Sequence, residues 1–261
     1  MSERPTLWHI PVSHYSEKAR WALAWKGVEH ERKAPPPGSH MAVALWLTRG
    51  GQVTFPILTL DGRNIGDSTA VIAALERRHP EPALYPADPD QRRRALELED
   101  FFDEELGPHS RLLAWHELGN DRDRFREVVE QTVPGPLARA GGVATAYASA
   151  YTKLRFGVAD PKAAELAREK ILAAFERLEA ELDANGGGYL VGDRFTVADL
   201  TAASLFYPIV LPPQGPVSIE LGVPAGMKAF REPLTERPGY VWVEEMFRRH
   251  RTTAAAPVPT A

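Results

Sequence analysis

The sequence predicts an α+β N-terminal region followed by an all-α C-terminal region. Short apolar runs typical of strands occur only in the first third of the chain, and strand signals vanish after Asp90. Between the two regions, the stretch from His79 to Pro89 contains four prolines, which indicates a boundary or linker. Beyond it, apolar residues at three- and four-residue steps predict a succession of helices.

The N-terminal region follows the element order β-α-β-(α)-β-β-α, which breaks a simple βαβ alternation. Gly27 is a good C-terminal stop for the first helix, and Asp61-Gly62 predicts a hairpin turn. Asp67 or Ser68 caps the last helix of this region. The predicted strands are Thr6–Ile10, Val28–Lys33, Val53–Leu60 and Arg63–Ile65, and the predicted helices begin at Ser16, Met41 and Asp67.

The helical region and the domain boundaries follow from the same patterns. The predicted helical stretches after Asp90 are 91–105, 122–131, 138–156, 162–185, 197–207 and 241–251. We therefore expect an α+β domain over residues 1–85, a linker at 86–91 and an all-helical domain over 92–251. The small, proline-containing stretch 252–261 is expected to be a disordered tail.

Composition bounds the function. The 261 residues are 44% hydrophobic and 25% charged, as in an ordinary globular protein, and the formal charge of −4 favours neither nucleic acid nor an anionic membrane as partner. The chain contains no cysteine, so any thiol chemistry must use a bound thiol. No signal peptide is recognisable, and no run approaches the ~18 apolar residues that a membrane span needs. We expect a cytoplasmic protein.

Four short signals carry the functional prediction. The first is Ser13-His14-Tyr15-Ser16 at a strand-to-helix junction, and the second is Phe55-Pro56 in an apolar strand. The third is Gly66-Asp67-Ser68 at a helix start. The fourth, Phe195-Thr196-Val197-Ala198-Asp199-Leu200, is typical of a capping box with a hydrophobic staple, and its role is structural.

In this order and at these spacings, the four signals resemble the cytosolic glutathione transferase family. The resemblance implies a thioredoxin-like domain with a mixed four-stranded sheet, then an all-helical bundle domain. It also implies glutathione as co-substrate, no metal, and a homodimer that conjugates small hydrophobic electrophiles.

Ser13 is the predicted catalytic residue, because the resembled family places a hydroxyl here that hydrogen-bonds the glutathione sulfur. A free thiol has a pKa near ~8.5, and lowering it by about two units needs roughly 2.7 kcal/mol. One hydrogen bond to a charged group supplies about 1.5–3 kcal/mol, so a single hydroxyl is about sufficient. Tyr15 is the alternative hydroxyl. Ser16 is expected to cap the helix, and His14 to be a partly exposed loop residue.

The remaining site residues are also implied by the resemblance. A cis Phe55-Pro56 bond would let the backbone of Phe55 pair with the cysteinyl part of glutathione. Ser68 and the helix N-terminus would bind the γ-glutamyl carboxylate, and Asp67 its ammonium. The family more often has Glu-Ser or Gln-Ser here, so Asp67 is a modest departure. For the glycine carboxylate, His40 is favoured over Lys33 and Arg49.

Two other interpretations of the same fold stay open. One is a binding module without catalysis, and the other is a transferase that uses a different small thiol. The acidic stretch from Glu97 to Glu105, with His109 and His116 after it, has metal-binding residue types. Gly107-Pro108 interrupts a shared helical face, so we expect an acidic surface there and no metal.

Overall fold

The computed structural model describes residues 4–35, 38–132, 159–216 and 222–251, together with the single positions 146, 149 and 150. The strands are β1 (Thr6–Trp8), β2 (Glu31–Lys33), β3 (Ile57–Leu60) and β4 (Arg63–Gly66). The first helices are α1 (His14–Trp25), α2 (His40–Thr48), α3 (Ser68–Arg78), α4 (Pro89–Phe101), α5 (Gly107–Asn120) and α6 (Arg122–Thr132). The later helices are α7 (Pro161–Ala184), α8 (Val197–Val210), α9 (Ala225–Arg231) and α10 (Pro238–His250).

The four strands form one mixed sheet in the order β2-β1-β3-β4. β1 pairs in parallel with β2 and antiparallel with β3, and β3 pairs antiparallel with β4. The predicted mixed four-stranded sheet is confirmed. The third strand is shorter than predicted: it begins at Ile57, directly after Pro56, because proline has no N–H to donate to a ladder.

The two faces of the sheet bury different clusters. Leu58 and Leu60 of β3 belong to the main core, together with apolar residues of α1, α3 and the helical region. Ile57 points to the other face, where Phe55 joins a small cluster with residues of α2. This alternation follows from the two-residue period of a strand. The helical region thus packs on the face that carries α1 and α3.

One long helical rod opens the helical region. α4 continues through a π-helical turn at Phe102–Leu106 directly into α5, so the rod runs from Pro89 to Asn120. The predicted break at Gly107-Pro108 is wrong, because Pro108 stands in the first turn of α5, where its missing N–H costs little. Two backbone oxygens at this turn contact α1, that of Asp103 within the turn and that of Gly107 directly after it, as described below.

α8 is the centre of the helical region, because all of its residues are buried. The predicted capping box is confirmed: Asp199 Oδ2 accepts the Thr196 N–H at 2.8 Å, and Phe195 and Leu200 are both buried. The sequence patterns missed α9. The predicted helix 138–156 lies almost wholly outside the described residues, and the predicted tail 252–261 lies entirely outside them. Among the helices described, none is both long enough and apolar enough to span a membrane.

Candidate functional site

Ser13 is the N-cap of α1. Its Oγ accepts a hydrogen bond from the Ser16 N–H at 3.2 Å, and its φ and ψ of −77° and 127° are those of a helix cap. Ser16 is therefore not the cap: it is fully buried inside the helix, where its Oγ accepts the Ile10 N–H. No described residue accepts the Ser13 hydroxyl proton. That proton is available to a ligand at the positive end of the α1 dipole.

Tyr15 of α1 contacts the helical region. Its hydroxyl donates to the backbone oxygen of Asp103 at 2.7 Å, and it lies so close to Gly107 that a Cβ there would be 2.1 Å away. Burial, with the charges of Asp103 and Asp67 and against that of Arg111, raises the pKa of Tyr15 above its usual range. A phenol whose only proton is donated to a carbonyl is poorly placed to activate a thiol.

His14 is not the exposed loop residue that was expected. It is the first residue of α1, it is buried, and its Nε2 lies 2.9 Å from the oxygen of Gly107. Burial, followed by the charge of Arg111, lowers the pKa of His14 to about 3, although the Gly107 contact opposes this. The ring is therefore neutral, and its Nε2–H donates to the backbone oxygen of Gly107, the first residue of α5.

Phe55-Pro56 is cis, as predicted. Within the described residues, neither the N–H nor the C=O of Phe55 has a hydrogen-bond partner, so both are available for an extended ligand. The sequence patterns missed Gln52, whose Nε2 donates to the oxygen of Thr54 at 2.8 Å. The Gln52 side chain also lies against Gly66, where a Cβ would be 2.1 Å from its Oε1. Gln52 therefore bridges the loop before β3 and the turn before α3.

Asp67 caps α3 in an unusual conformation. Its Oδ1 accepts the N–H groups of Thr69 and Ala70, and its φ of 74° lies in the region that L-residues rarely adopt. Such backbone strain costs about 1–3 kcal/mol and is found most often at ligand sites. A plain N-cap does not require it. Asp67 is exposed and Ser68 is buried beside it. Asp67 Oδ2 accepts no hydrogen bond from the part of the chain that is described.

The N-termini of α1 and α3 lie side by side. Lys18 Nζ of α1 donates to Thr69 Oγ1 of α3 at 2.9 Å, and the charge of Asp67 reaches Tyr15. The structure thus brings the Ser13 and Asp67-Ser68 motifs together, as two helix N-termini that would both favour an anionic ligand. Sequence spacing did not reveal the buried Lys18, since a lysine in an amphipathic helix is usually exposed.

His40 begins α2 and is half-buried. Burial lowers the pKa of His40, so its ring is neutral near pH 7 and can offer a hydrogen bond but not a positive charge. Of the alternatives, Lys33 pairs with Glu31 at 3.2 Å, and Arg49 forms the left-handed C-cap of α2.

Arg111 of α5 adds a cation that the sequence did not reveal. Its guanidinium carbon is 5.8 Å from the centre of the Tyr15 ring, and its charge contributes to the low pKa of His14. Both of these residues directly follow Ser13. Because no helix was predicted over the residues of α5, no pattern placed Arg111 opposite α1. Among the described residues, no group of three or more His, Cys, Asp and Glu side chains could hold a metal ion.

Comparison with known proteins decides the family. The family model for the glutathione S-transferase N-terminal domain matches residues 7–83, and the one for the C-terminal domain matches residues 161–216. The two matches cover just over half of the chain. The chain belongs to the glutathione S-transferase family.

Curated relatives of this glutathione S-transferase include isomerases. It is 25% identical over 206 residues to "Probable maleylacetoacetate isomerase" of Caenorhabditis elegans, which covers 79% of each chain. It is also 25% identical over 203 residues to "Maleylacetoacetate isomerase" of Rattus norvegicus, which covers 77% of this chain and 76% of the relative.

Solved structures share its fold. The beta-etherase LigF from Sphingobium sp. strain SYK-6 has a TM-score of 0.58 at 23% identity, over 94% of this chain and 99% of the other. A maleyl pyruvate isomerase, described as a bacterial glutathione S-transferase in the Zeta class, has a TM-score of 0.55 at 22% identity, over 96% and 100%. At these identities the likeness establishes the fold alone.

Proposed function

We propose that this glutathione S-transferase is a glutathione-dependent isomerase in which Ser13 holds the thiol of glutathione as the thiolate. One observation supports the role of Ser13 above the others: its Oγ already accepts the Ser16 N–H, and its own proton goes to no described residue. The hydroxyl can therefore donate to a sulfur at the N-terminus of α1, where the helix dipole also favours the anion.

The rest of glutathione would lie along the two loops that Gln52 joins. Phe55 offers its unpaired N–H and C=O to the cysteinyl residue, in the manner of an added strand. The γ-glutamyl carboxylate would accept from Ser68 and the N–H groups of α3, and Asp67 Oδ2 would accept its ammonium. His40, being neutral, would donate a single hydrogen bond to the glycine carboxylate.

The reaction is proposed from the relatives and from Arg111. The relatives named maleylacetoacetate isomerase carry a maleyl group in their substrate, which is a cis-alkene bearing a carboxylate. The thiolate would add to one alkene carbon while the π electron pair moves to the conjugated carbonyl as an enolate. The carbon–carbon bond, now single, would rotate, and collapse of the enolate would re-form the alkene in the trans form and expel the thiolate. Arg111, beside Tyr15 and His14, supplies a cation for the carboxylate. An anionic electrophile thus fits better than the small hydrophobic one that was expected.

The test separates isomerisation from conjugation by the fate of glutathione. The protein would be given maleylacetoacetate with a tenfold smaller amount of glutathione. Many turnovers per glutathione, with free thiol conserved, are the expected result. Loss of one thiol per turnover would mean conjugation, and glutathione binding without turnover would mean a binding module. Calorimetric titration with glutathione and with a second small thiol establishes which thiol is used.

Ser13→Ala tests the catalytic assignment. Losing a hydrogen bond to the thiolate, about 1.5–3 kcal/mol, should raise the pKa of bound glutathione by about 1–2 units. If the bound thiol starts near a pKa of ~6.5, its ionised fraction at pH 7, and with it kcat/KM, should fall roughly 3–25-fold. An unchanged thiol pKa would contradict the role of Ser13.

A further inference from the structure

A chain of buried ion pairs connects the C-terminal end of the helical region to the loop that carries Ser13. Glu17, in the first turn of α1, is fully buried and lies between two guanidinium groups. It accepts Arg20 Nε at 2.7 Å through Oε2, and Arg251 Nε through Oε1. Although burial opposes ionisation, Arg20 and Arg251 hold the pKa of Glu17 below its ordinary value. The carboxylate is therefore charged near neutral pH.

Arg20 directs its remaining donors to the loop between β1 and α1. Nη2 donates to the backbone oxygens of Pro11 at 3.1 Å and Ser13 at 3.5 Å, and Nη1 donates to Ile10 at 3.4 Å. Nη1 also lies 2.7 Å from Nδ1 of His9, and burial, followed by the charge of Arg20, lowers the pKa of His9 to about 3. A neutral imidazole accepts that contact. One planar guanidinium thus fixes the loop at four points.

Arg251 is the C-cap residue of α10, and its backbone and that of its neighbour are held by hydrogen bonds. Its N–H closes the last turn of α10 on Phe247, and the preceding residue, His250, accepts a hydrogen bond from the Trp21 indole at 3.1 Å. The His250 ring also packs against Phe195 and Trp25. The Arg251 side chain is 9% exposed where it meets Glu17.

From these contacts we infer that Glu17 and Arg251 are positioning residues, which act through Arg20 to hold the Ser13 hydroxyl at the thiol. This inference rests on the proposed function. Arg251 Nε meets Glu17 Oε1 and Arg20 Nε meets Glu17 Oε2, so the carboxylate links Arg251 to the guanidinium that holds the loop. Without Arg251, Glu17 Oε1 loses this ion pair and the Glu17 side chain can rotate. Arg20 then loses the fixed carboxylate that orients its guanidinium. The charged and titratable neighbours of Glu17, Arg20 and Arg251 include Arg32, His30 and His9.

A purely structural role for Arg251, as a fastener of α10 on α1, makes a different prediction. It would lower the melting temperature and weaken all ligands alike, without changing the thiol pKa. Positioning changes the thiol pKa and leaves the peptide part of the ligand bound as before, because Phe55, Asp67 and Ser68 lie on other elements.

The test compares Arg251→Met with Arg249→Met. Both remove one guanidinium from the same end of α10, but Arg249 pairs with Glu245 on the exposed side. We expect Arg251→Met to raise the pKa of the bound glutathione thiol by about one unit, a tenfold change in its acid dissociation constant. This pKa is read from thiolate absorbance against pH. Affinity for S-methylglutathione, which has no thiol proton, should stay within about twofold. Arg249→Met should leave both unchanged, and Arg251→Lys should restore most of the wild-type ionisation.

Amide hydrogen exchange without ligand gives a second readout that does not depend on glutathione. Residues 10–16 should exchange about tenfold faster in Arg251→Met than in the wild type or Arg249→Met. If the wild type bound no glutathione, the proposed function would fail, and this exchange would still test the link to the loop. A thiol pKa in Arg251→Met equal to that of the wild type, or unchanged exchange over residues 10–16, would overturn the inference.

Discussion

Lys18 and Glu17, adjacent in α1, carry opposite charges into two buried networks. Lys18 Nζ lies 2.8 Å from Glu99 and 2.6 Å from Asp103, so one cation meets two carboxylates of the long rod. Glu17 meets Arg20 and Arg251, so one carboxylate meets two guanidinium groups. Both networks attach α1 to the helical region, one at the π-turn and the other at the C-terminal end of α10.

The networks differ in how their excess charge is accommodated. Around Glu17 there are more N–H donors than the carboxylate can accept, and backbone oxygens of the loop accept the remaining ones from Arg20. Around Lys18 the surplus is of acceptors: within the described residues, Glu99 Oε2 and Asp103 Oδ1 are buried and have no partner. Burial, only partly opposed by Lys18, raises the pKa of Glu99. Excess donors can thus be satisfied by backbone, which always offers acceptors, whereas excess carboxylate oxygens favour uptake of a proton.

Lys18→Met should have the largest effect, because it leaves the buried Glu99 and the partly buried Asp103 without the cation that they share. Removing one partner of a buried pair costs about 3–5 kcal/mol in the free energy of unfolding. The loss, measured by urea unfolding, should be smaller at pH 5 than at pH 8, since Glu99 can take a proton. Lys170→Met is the control, as its pair with Glu105 is exposed and costs under about 1 kcal/mol. Equal losses in the two variants would contradict a special role for the Lys18 network.

Glu17→Gln should lower the free energy of unfolding by about 1.5–3 kcal/mol at pH 7, the usual loss for hydrogen bonds to a charged group. The folded-state pKa of Glu17 is lowered, so its stabilisation is present above the unfolded pKa and is lost as pH falls through the folded value. The difference from the wild type should therefore shrink in acid, below about pH 4. Glu245→Gln, which removes a partly exposed carboxylate paired with Arg248 and Arg249, should show the same trend with a much smaller amplitude, because solvent screens these pairs. If the difference in free energy of unfolding between Glu17→Gln and the wild type grew in acid, Glu17 would not be stabilised as the carboxylate.

Glu99→Gln should show the opposite pH trend with a smaller amplitude. The folded-state pKa of Glu99 is raised, so its contribution is fully present below the unfolded pKa and is lost as pH rises through the folded value. The variant should match the wild type near pH 4, below the unfolded pKa. At pH 8 it should be more stable by about 1 kcal/mol, the low end of the usual cost of a buried polar atom without a partner. Chemical unfolding at the two pH values measures this. A variant less stable than the wild type at pH 8 would mean that the ionised Glu99 is needed.

Tyr15→Phe should have the smallest effect and sharpens the role of Asp103, which α1 contacts through both Tyr15 and Lys18. Losing one hydrogen bond should cost about 0.5–1 kcal/mol of unfolding free energy. Because the Tyr15 proton goes to a carbonyl, kcat/KM should stay within about twofold of the wild type, unlike that of Ser13→Ala. A large fall in turnover with intact stability would restore Tyr15 as the activating hydroxyl.

The local signals were predictable where a few adjacent residues suffice to produce them. The capping box at Thr196 and Asp199 and the α3 cap at Asp67 each depend on neighbouring residues and turn chemistry. The cis Phe55-Pro56 bond was predicted from the family resemblance. The errors fell where a distant partner decides. His14 was expected to be exposed and is buried against Gly107, 93 residues away. Helix α5 was missed because a glycine-proline pair usually ends a helix.

The sequence by itself determined the two-region fold, the absence of a cysteine thiol and the short local motifs, because strand and helix periods, caps and turns are set by residues within one or two turns of each other. The family resemblance that those motifs carry then gave the candidate residues Ser13, Phe55, Asp67 and Ser68. The tertiary structure alone decided that Tyr15 contacts the helical region, that Arg111 lies beside Tyr15 and His14, and that Lys18 and Glu17 are buried in opposite networks. Charges enter a core only when partners from other elements are brought to them, and no local pattern records that meeting.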